Sequence, residues 1–303
     1  MSRTLRIGTR DSELALFQAT TVGKALEDLG FSCSLVPVKS TGDLELNKPL
    51  YELGITGIFT KTLDQAMLNN KVDIAVHSLK DVPTLLPKGI VQTAVLERAS
   101  SLDVLVPAGN PDFKEDCIIA TGSLRRKAQW LHRYPHHRVV GLRGNVNTRL
   151  KKLADSDWSG AIFARAGLER IQLLPENSIN LNWMIPAPAQ GAMAIMARTD
   201  DDFAQDAATH LNHAMTQTCT SVERKFLRVL EGGCSAPIGA LATVTNEHIS
   251  FKGALLSLDG QQKIEVEREA KLSDIDGFGE ACAKEILDQG GAQLMQEIKA
   301  STP

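Results

Sequence analysis

Two residues in this chain have the chemistry of a covalent reaction centre, the thiol of Cys234 and the carboxylate of Asp81. Cys234 lies in E-G-G-C-S-A-P-I-G, residues 231–239. Gly232 and Gly233 lack a Cβ and admit φ > 0, while Pro237 fixes its own φ and biases Ala236 toward extended backbone. The thiol therefore belongs to a shaped turn. Taken alone, the stretch reads as a helix C-cap followed by a strand, with Cys234 a small buried apolar residue. Taken with the rest of the chain, a functional role outweighs that bland one. Asp81 stands in His77-Ser78-Leu79-Lys80-Asp81-Val82-Pro83, directly after the apolar run Val72 to Val76. Ligands of open parallel sheets bind beyond the carboxyl ends of the strands, which places Asp81 to act as acid or base. The alternative is a plain ion-pair partner.

Arginine is the second signal. Arg10, Arg125, Arg126 and Arg143 fall where a strand pattern gives way to a helix pattern, with Arg149 and Arg170 close behind. The partial positive charge at a helix N-terminus disfavours arginine there by roughly 0.3–1 kcal/mol. Beside them stand Thr9, Ser12, Thr121 and Ser123. Together they describe anion sites in which guanidinium charge adds to exposed backbone N–H groups, and a guanidinium forks bidentately around a carboxylate. The expected ligand carries several carboxylates or phosphates; with no Walker or G-x-G-x-x-G pattern, a nucleotide fits less well. The net charge of −3 makes such sites local and argues against bulk nucleic-acid affinity. His132, His136 and His137 are broken up by Pro135, and His210 with His213 lacks matching ligands elsewhere, so both sets read as surface and no metal is expected. His77 reads either as a site residue or as a buried structural one. Lys61 reads as a site residue or as solvated charge.

The elements that must position these groups follow from periodicity. Leu5 to Gly8 predicts a strand; Leu14, Phe17, Val22, Ala25, Leu26 and Leu29 predict a helix capped by Asp11 or Ser12; Ser32 to Val38 predicts a second strand. This β-α-β order favours a parallel sheet. Residues 39 to 57 hold four Gly or Pro breakers and read as a long loop. A helix around Leu63 to Met67 follows, then strands at Val72 to Val76, Ile90 to Leu96 and Leu102 to Val106, with a crossing into a second domain near residue 100. Alternation resumes with strands at Cys117 to Ala120, Arg138 to Leu142, Ala161 to Phe163 and Ala192 to Ala197. Helical patterns cover 201–213, 215–230 and 274–299, and an antiparallel meander covers 238–244, 248–257 and 262–270. The expected domains are residues 1–98 with 191–212, residues 99–190, and residues 213–303 as a small α+β domain. The chain's 303 residues suffice for two or three such cores. No stretch reads as a signal peptide or membrane span. Five irregularly spaced cysteines read as reduced thiols, hence a cytoplasmic setting.

Seven motifs then come together: G-T-R-D-S at 8–12, H-S-L-K-D-V-P at 77–83, T-G-S-L-R-R at 121–126, L-R-G-N-V-N-T-R at 142–149, A-G-L-E-R at 166–170, P-A-Q-G-A at 188–192 and E-G-G-C-S-A-P-I-G at 231–239. In this order they resemble the porphobilinogen deaminase (hydroxymethylbilane synthase) family. The resemblance implies an α/β fold of two periplasmic-binding-protein-like lobes with mainly parallel sheets, plus a small α+β domain with a three-stranded antiparallel sheet. It implies head-to-tail condensation of four porphobilinogen molecules into hydroxymethylbilane with release of ammonia, on a dipyrromethane cofactor held covalently by Cys234. Asp81 matches the family's catalytic residue. Ser78, Lys80, Thr121, Ser123, Arg125 and Arg126 match cofactor-binding positions; Arg10, Ser12, Arg143, Thr148, Arg149, Arg170 and Gln190 match substrate-binding ones. A monomer is implied, with no nucleic-acid or membrane partner. The chemistry suits the residues: loss of the aminomethyl nitrogen leaves an electron-poor azafulvene that a carboxylate stabilises, and a thioether is a stable tether.

Two positions depart from the family pattern. Thr56 stands where many members have lysine, and Arg165 where a small apolar residue is usual, as an extra carboxylate contact or an outward-facing side chain. Two rival readings remain: a two-lobed anion-binding protein without catalysis, which leaves Asp81 and the cysteine turn unexplained, and a phosphoribosyltransferase, which needs a diphosphate motif not found here.

Overall fold

The computed structural model describes residues 3–38, 60–230 and 236–301. In chain order the first run carries β1 (Leu5–Thr9), α1 (Glu13–Asp28), β2 (Cys33–Pro37), α2 (Lys61–Leu68), β3 (Ile74–Ser78) and β4 (Ile90–Val95). The middle run carries β5 (Asp103–Pro107), β6 (Ile118–Ala120), α3 (Leu124–Arg133), β7 (Arg138–Val140), α4 (Val146–Ala154), β8 (Gly160–Ala164), α5 (Arg165–Arg170) and β9 (Ile179–Asn180). The last run carries β10 (Met193–Arg198), α6 (Asp202–Thr209), α7 (Ala214–Val229), β11 (Ile238–Thr245), β12 (His248–Leu256), β13 (Lys263–Lys271), α8 (Phe278–Ile286) and α9 (Ala292–Ser301).

Two compact units result. The first takes the described residues up to Ala99 and Gly191–Thr218; the second takes Ser100–Gln190 and the described residues from Cys219 on. The first unit's sheet runs β2-β1-β3-β10-β4 and the second's β7-β6-β8-β5-β9. In each, one strand (β10 or β5) is antiparallel to both its neighbours, so the other four point the same way. The two orders are one topology used twice, although the sequence shows no repeat.

Helix α1 buries Ala19, Val22 and Leu26 against Leu5, Ile7, Ile74 and Ile195 of the first sheet, while α6 adds Ala204, Ala207 and Ala208. Each large aliphatic side chain so buried contributes about 1.5–3 kcal/mol. In the second unit Val104, Val106, Ala120, Ala161 and Phe163 pack on one face of the sheet, and Leu105, Ile119 and Ile162 on the other. Successive residues thus alternate between two buried faces, which is why these strands read as unbroken apolar runs. The strands β11, β12 and β13 form the separate antiparallel sheet, covered by Val222, Phe226 and Leu230 and by Ala283, Ile286 and Met295. The rings of Phe226 and Phe251 meet at 5.0 Å.

Three details differ from the sequence reading. The helical pattern of 274–299 is two helices, because Gly290 takes φ 103° between α8 and α9. The edge strand β9 has only two residues, too few to leave a periodic trace. His137 is buried, not at the surface: the Trp130 indole N–H donates to its Nδ1 at 3.1 Å, and its Nε2 bonds the Phe113 carbonyl at 3.1 Å. Residues 39–57, with Thr56, and the turn holding Cys234 lie outside the described residues.

Candidate active site

In the first unit β1 and β3 are parallel neighbours, so the segments leaving their carboxyl ends adjoin. Arg10 leaves β1. Ser12, extended at φ −72°, caps α1 by accepting the Ala15 N–H at 3.4 Å. Beyond β3 the chain makes one turn of 3-10 helix, Leu79–Asp81, which presents Lys80 and Asp81 half-buried. That turn is fastened by Leu79 N–H to the Ala192 carbonyl (3.0 Å) and Val82 N–H to the Leu79 carbonyl (3.2 Å). Gln18 of α1 donates to Ser78 Oγ at 2.9 Å, tying the cap helix to the Asp81 segment. His77 is buried, and its Nε2 has no hydrogen-bond partner among the described residues. Burial, with Arg10 nearby, pulls its pKa from 6.5 to about 4, so it is neutral near pH 7. His77 is thus buried and neutral, and Arg10 is brought within electrostatic reach of the end of β3.

The second unit gathers its arginines in the same manner. Its parallel strands β7, β6 and β8 are adjacent, so the three strand-to-helix junctions share one edge of the sheet. After β6, buried Thr121 accepts the Ser123 N–H (3.3 Å), and Ser123 caps α3 by accepting the Arg126 N–H (3.4 Å). Gly122 fits because a Cβ there would lie 2.4 Å from the Leu142 carbonyl oxygen. After β7, Gly144 takes φ 113°, and Asn145 caps α4 by accepting the Thr148 N–H at 2.9 Å. Arg143 precedes this cap, and Thr148 and Arg149 occupy the first turns of α4. After β8, Arg170 ends α5. Burial lowers the pKa of Arg143 and, against the charge of Glu169, of Arg170; both are desolvated cations.

Arg125 and Arg126 face inward. Each is 5% exposed, and both grip Asp103, the wholly buried first residue of β5. Arg125 Nη1 donates to Oδ2 at 2.6 Å; Arg126 Nε donates to Oδ1 at 2.9 Å, and the Gln190 amide reaches the same oxygen at 2.9 Å. Burial alone pushes the Asp103 carboxyl up, but the two guanidinium groups and the Gln190 bond hold it well below the usual carboxylate range. Removing one member of such a buried set costs about 3–5 kcal/mol. The sequence reading assigned both arginines to ligand carboxylates and missed Asp103. Its only signal was an acid heading an apolar strand, S-L-D-V-L-V-P.

A second carboxylate had no signal at all. Glu223 of α7 is wholly buried, and its two oxygens accept N–H from Ala189 (2.6 Å) and Ala242 (2.8 Å). Ala189 is left-handed, at φ 63°, in the turn that delivers Gln190. Arg165 has internal partners: its Nε reaches Glu169 at 2.6 Å and its Nη1 donates to Asn180 of β9 at 2.7 Å. The bond to Asn180 joins α5 to the edge strand.

The family model described as porphobilinogen deaminase, dipyromethane cofactor binding domain, matches residues 5–206, and the C-terminal domain model of the same family matches residues 217–288. The chain belongs to the porphobilinogen deaminase family. A protein of that name from Chloroherpeton thalassium is 38% identical over 99% of this chain and 99% of its own. One from Moorella thermoacetica is 39% identical over 98% of this chain and 97% of its own. The probable porphobilinogen deaminase of Methanocaldococcus jannaschii is 41% identical over 90% of this chain and 94% of its own. Among solved structures, a periplasmic substrate-binding protein from Coxiella burnetii aligns with 73% of this chain and 96% of that one at 12% identity. Its TM-score of 0.44 is too loose to add to the topology already described.

A porphobilinogen deaminase uses a dipyrromethane, and the residues present fit such a polycarboxylate group. Three adjacent junctions of the second unit carry arginine, two of whose guanidinium groups are desolvated. Arg125 Nε is buried without a partner among the described residues, a donor suited to a carboxylate oxygen. No helix among the described residues is long and apolar enough to cross a membrane.

Proposed function

We propose that the chain is a transferase that joins four porphobilinogen molecules head to tail into hydroxymethylbilane, releasing one ammonia per addition, with its dipyrromethane held through Cys234. The observation that carries the site assignment is the placement of the matched residues in each unit. They leave the carboxyl ends of adjacent parallel strands, β1 with β3 and β7 with β6 and β8. When bound, the dipyrromethane supplies the pyrrole end from which the product chain is extended.

The protein's part is electrostatic and positional. Asp81, fixed on its 3-10 turn, stabilises the positive charge that develops when the substrate's aminomethyl carbon loses ammonia, and accepts and returns the pyrrole proton. Lys80 and Ser78 flank it. Arg125, Arg126, Thr121 and Ser123 hold cofactor carboxylates. Arg10, Ser12, Arg143, Thr148, Arg149, Arg170 and Gln190 bind the acetate and propionate groups of substrate and lengthening product. Residues 213–303 act as the small domain that carries the cysteine turn. Cys117, Cys219 and Cys282 are buried and Cys33 is half-buried, and burial pushes the Cys282 thiol up to about 11. Such thiols are poor nucleophiles, which supports Cys234 as the point of attachment. The thiols of Cys33, Cys117 and Cys282 are in no disulfide, which also supports a reducing, cytoplasmic setting.

The test is the intact mass of the purified, denatured protein followed by peptide mapping. We expect a polypeptide heavier by two linked pyrrole units, with the added mass on the peptide containing Cys234, and none on Cys234→Ser. An unmodified parent, or the adduct on Cys33, Cys117, Cys219 or Cys282, refutes the assignment.

A further inference from the structure

We infer that Asp103 is a positioning residue for the dipyrromethane site, one buried carboxylate that orients Arg125, Arg126 and Gln190 as a unit. The inference rests on the functional reading above and adds a residue that none of the seven motifs contains. Each guanidinium makes more than one hydrogen bond. Arg125 Nη1 donates to Asp103 Oδ2 (2.6 Å) and to the Ile185 carbonyl (2.8 Å). Arg126 donates to Asp103 Oδ1 through Nε (2.9 Å), with Nη2 2.8 Å from the same oxygen, and through Nη1 to the Ile162 carbonyl (3.0 Å). Gln190 bridges Asp103 Oδ1 (2.9 Å) and the Ser101 carbonyl (2.8 Å). Rotation of either guanidinium would break an ion pair in a site closed to water, where a lost bond is not replaced.

Charge points the same way. The two guanidinium groups and the Asp103 carboxylate together carry net positive charge, which suits a ligand carboxylate. Arg125 Nε, buried and without a partner among the described residues, marks a donor still available for it.

A purely structural ion pair offers an internal control. Asp73 is as deeply buried and is gripped by Arg3 and Arg6, but those arginine side chains are 42% and 36% exposed and belong to none of the seven motifs. The experiment compares the parent with Asp103→Asn, Asp103→Glu and Asp73→Asn. Each is expressed and purified identically, then scored for its urea midpoint and for the fraction of chains carrying the dipyrromethane mass. Both asparagine variants should lower the midpoint, but only Asp103→Asn should lower the loaded fraction, by about tenfold or more. Asp103→Glu keeps the charge and displaces the guanidinium groups by roughly 1 Å; it should recover most of the stability yet load less than about a third as well as the parent. Parent-like loading of Asp103→Asn, or equal loss in Asp73→Asn, overturns the inference. If Asp103→Asn yields no folded protein, Asp103→Glu decides alone, with parent-level loading as the refuting result. A parent lacking the adduct refutes the functional reading and this inference with it, whereas a loaded parent with loaded Asp103 variants refutes the inference only.

Discussion

His77 should contribute a share of this protein's acid sensitivity, and replacing it with glutamine should remove that share. In the unfolded chain histidine takes up a proton near pH 6.5; in the folded protein burial, with Arg10 beside it, delays protonation to about 4. Between those values the unfolded state binds more protons, so stability falls as pH falls through the window. The lowered pKa gives a loss of about 1.4 kcal/mol at pH 5.5 and about 2.5 kcal/mol at pH 4.5, relative to pH 8. Glutamine keeps a comparable volume and does not titrate. Other groups titrate nearby: burial also lowers His137, which acts in the same direction as His77; burial pushes Asp64 up to about 6, which acts in the opposite direction; and the lowered Asp73 and Asp201 act only at stronger acidity. These contributions are common to both proteins and cancel in the difference. Urea unfolding of parent and His77→Gln at pH 8, 6.5, 5.5 and 4.5 would give that difference directly. A parent-minus-variant stability that shifts by less than about 0.5 kcal/mol over this range would show that His77 is solvated or charged in the native state, and the reasoning would fail.

Asp81→Asn should reduce turnover by at least ~100-fold with little change in thermal stability, measured as porphobilinogen consumption and melting temperature; near-parent turnover would make Asp81 an ion-pair partner only. Gly122→Ala puts a Cβ 2.4 Å from the Leu142 carbonyl oxygen, a backbone atom that moves only with the turn before Arg143. It should cost about 1–3 kcal/mol and raise the Michaelis constant more than it lowers turnover, which urea unfolding and steady-state kinetics would check. Glu223→Gln replaces one acceptor with an N–H₂ group facing a backbone N–H. It should destabilise the second unit by about 1–3 kcal/mol, read from intrinsic fluorescence in urea.

Local pattern carried a large share of this structure. The alternation of apolar runs with helical spacing placed β1, α1, β2 and the β11–β13 meander within a residue or two, and of the two caps expected for α1, Asp11 or Ser12, the structure uses Ser12. The arginines proposed for the site stood out because they sit at or near strand-to-helix junctions, where arginine opposes the helix dipole. What escaped was long-range. Asp103 and Gln190 meet across 87 positions, and Glu223 reaches Ala189 across 34. Nothing in the periodicity of either segment records its partner. Strand β10 is an apolar run like any other until its pairing places it between β3 and β4.

That last pairing dictates an order of assembly during synthesis. The second sheet is built from β5 to β9, one uninterrupted stretch, and is complete once residue 180 has left the ribosome. The first sheet, although its strands β1 to β4 are made earlier, has an open seam until Met193–Arg198 emerges to fill it. At elongation rates of roughly 5–20 residues per second, the amino-terminal strands wait several seconds with unpaired edges. The sheet whose strands are begun earlier is therefore the sheet that closes later.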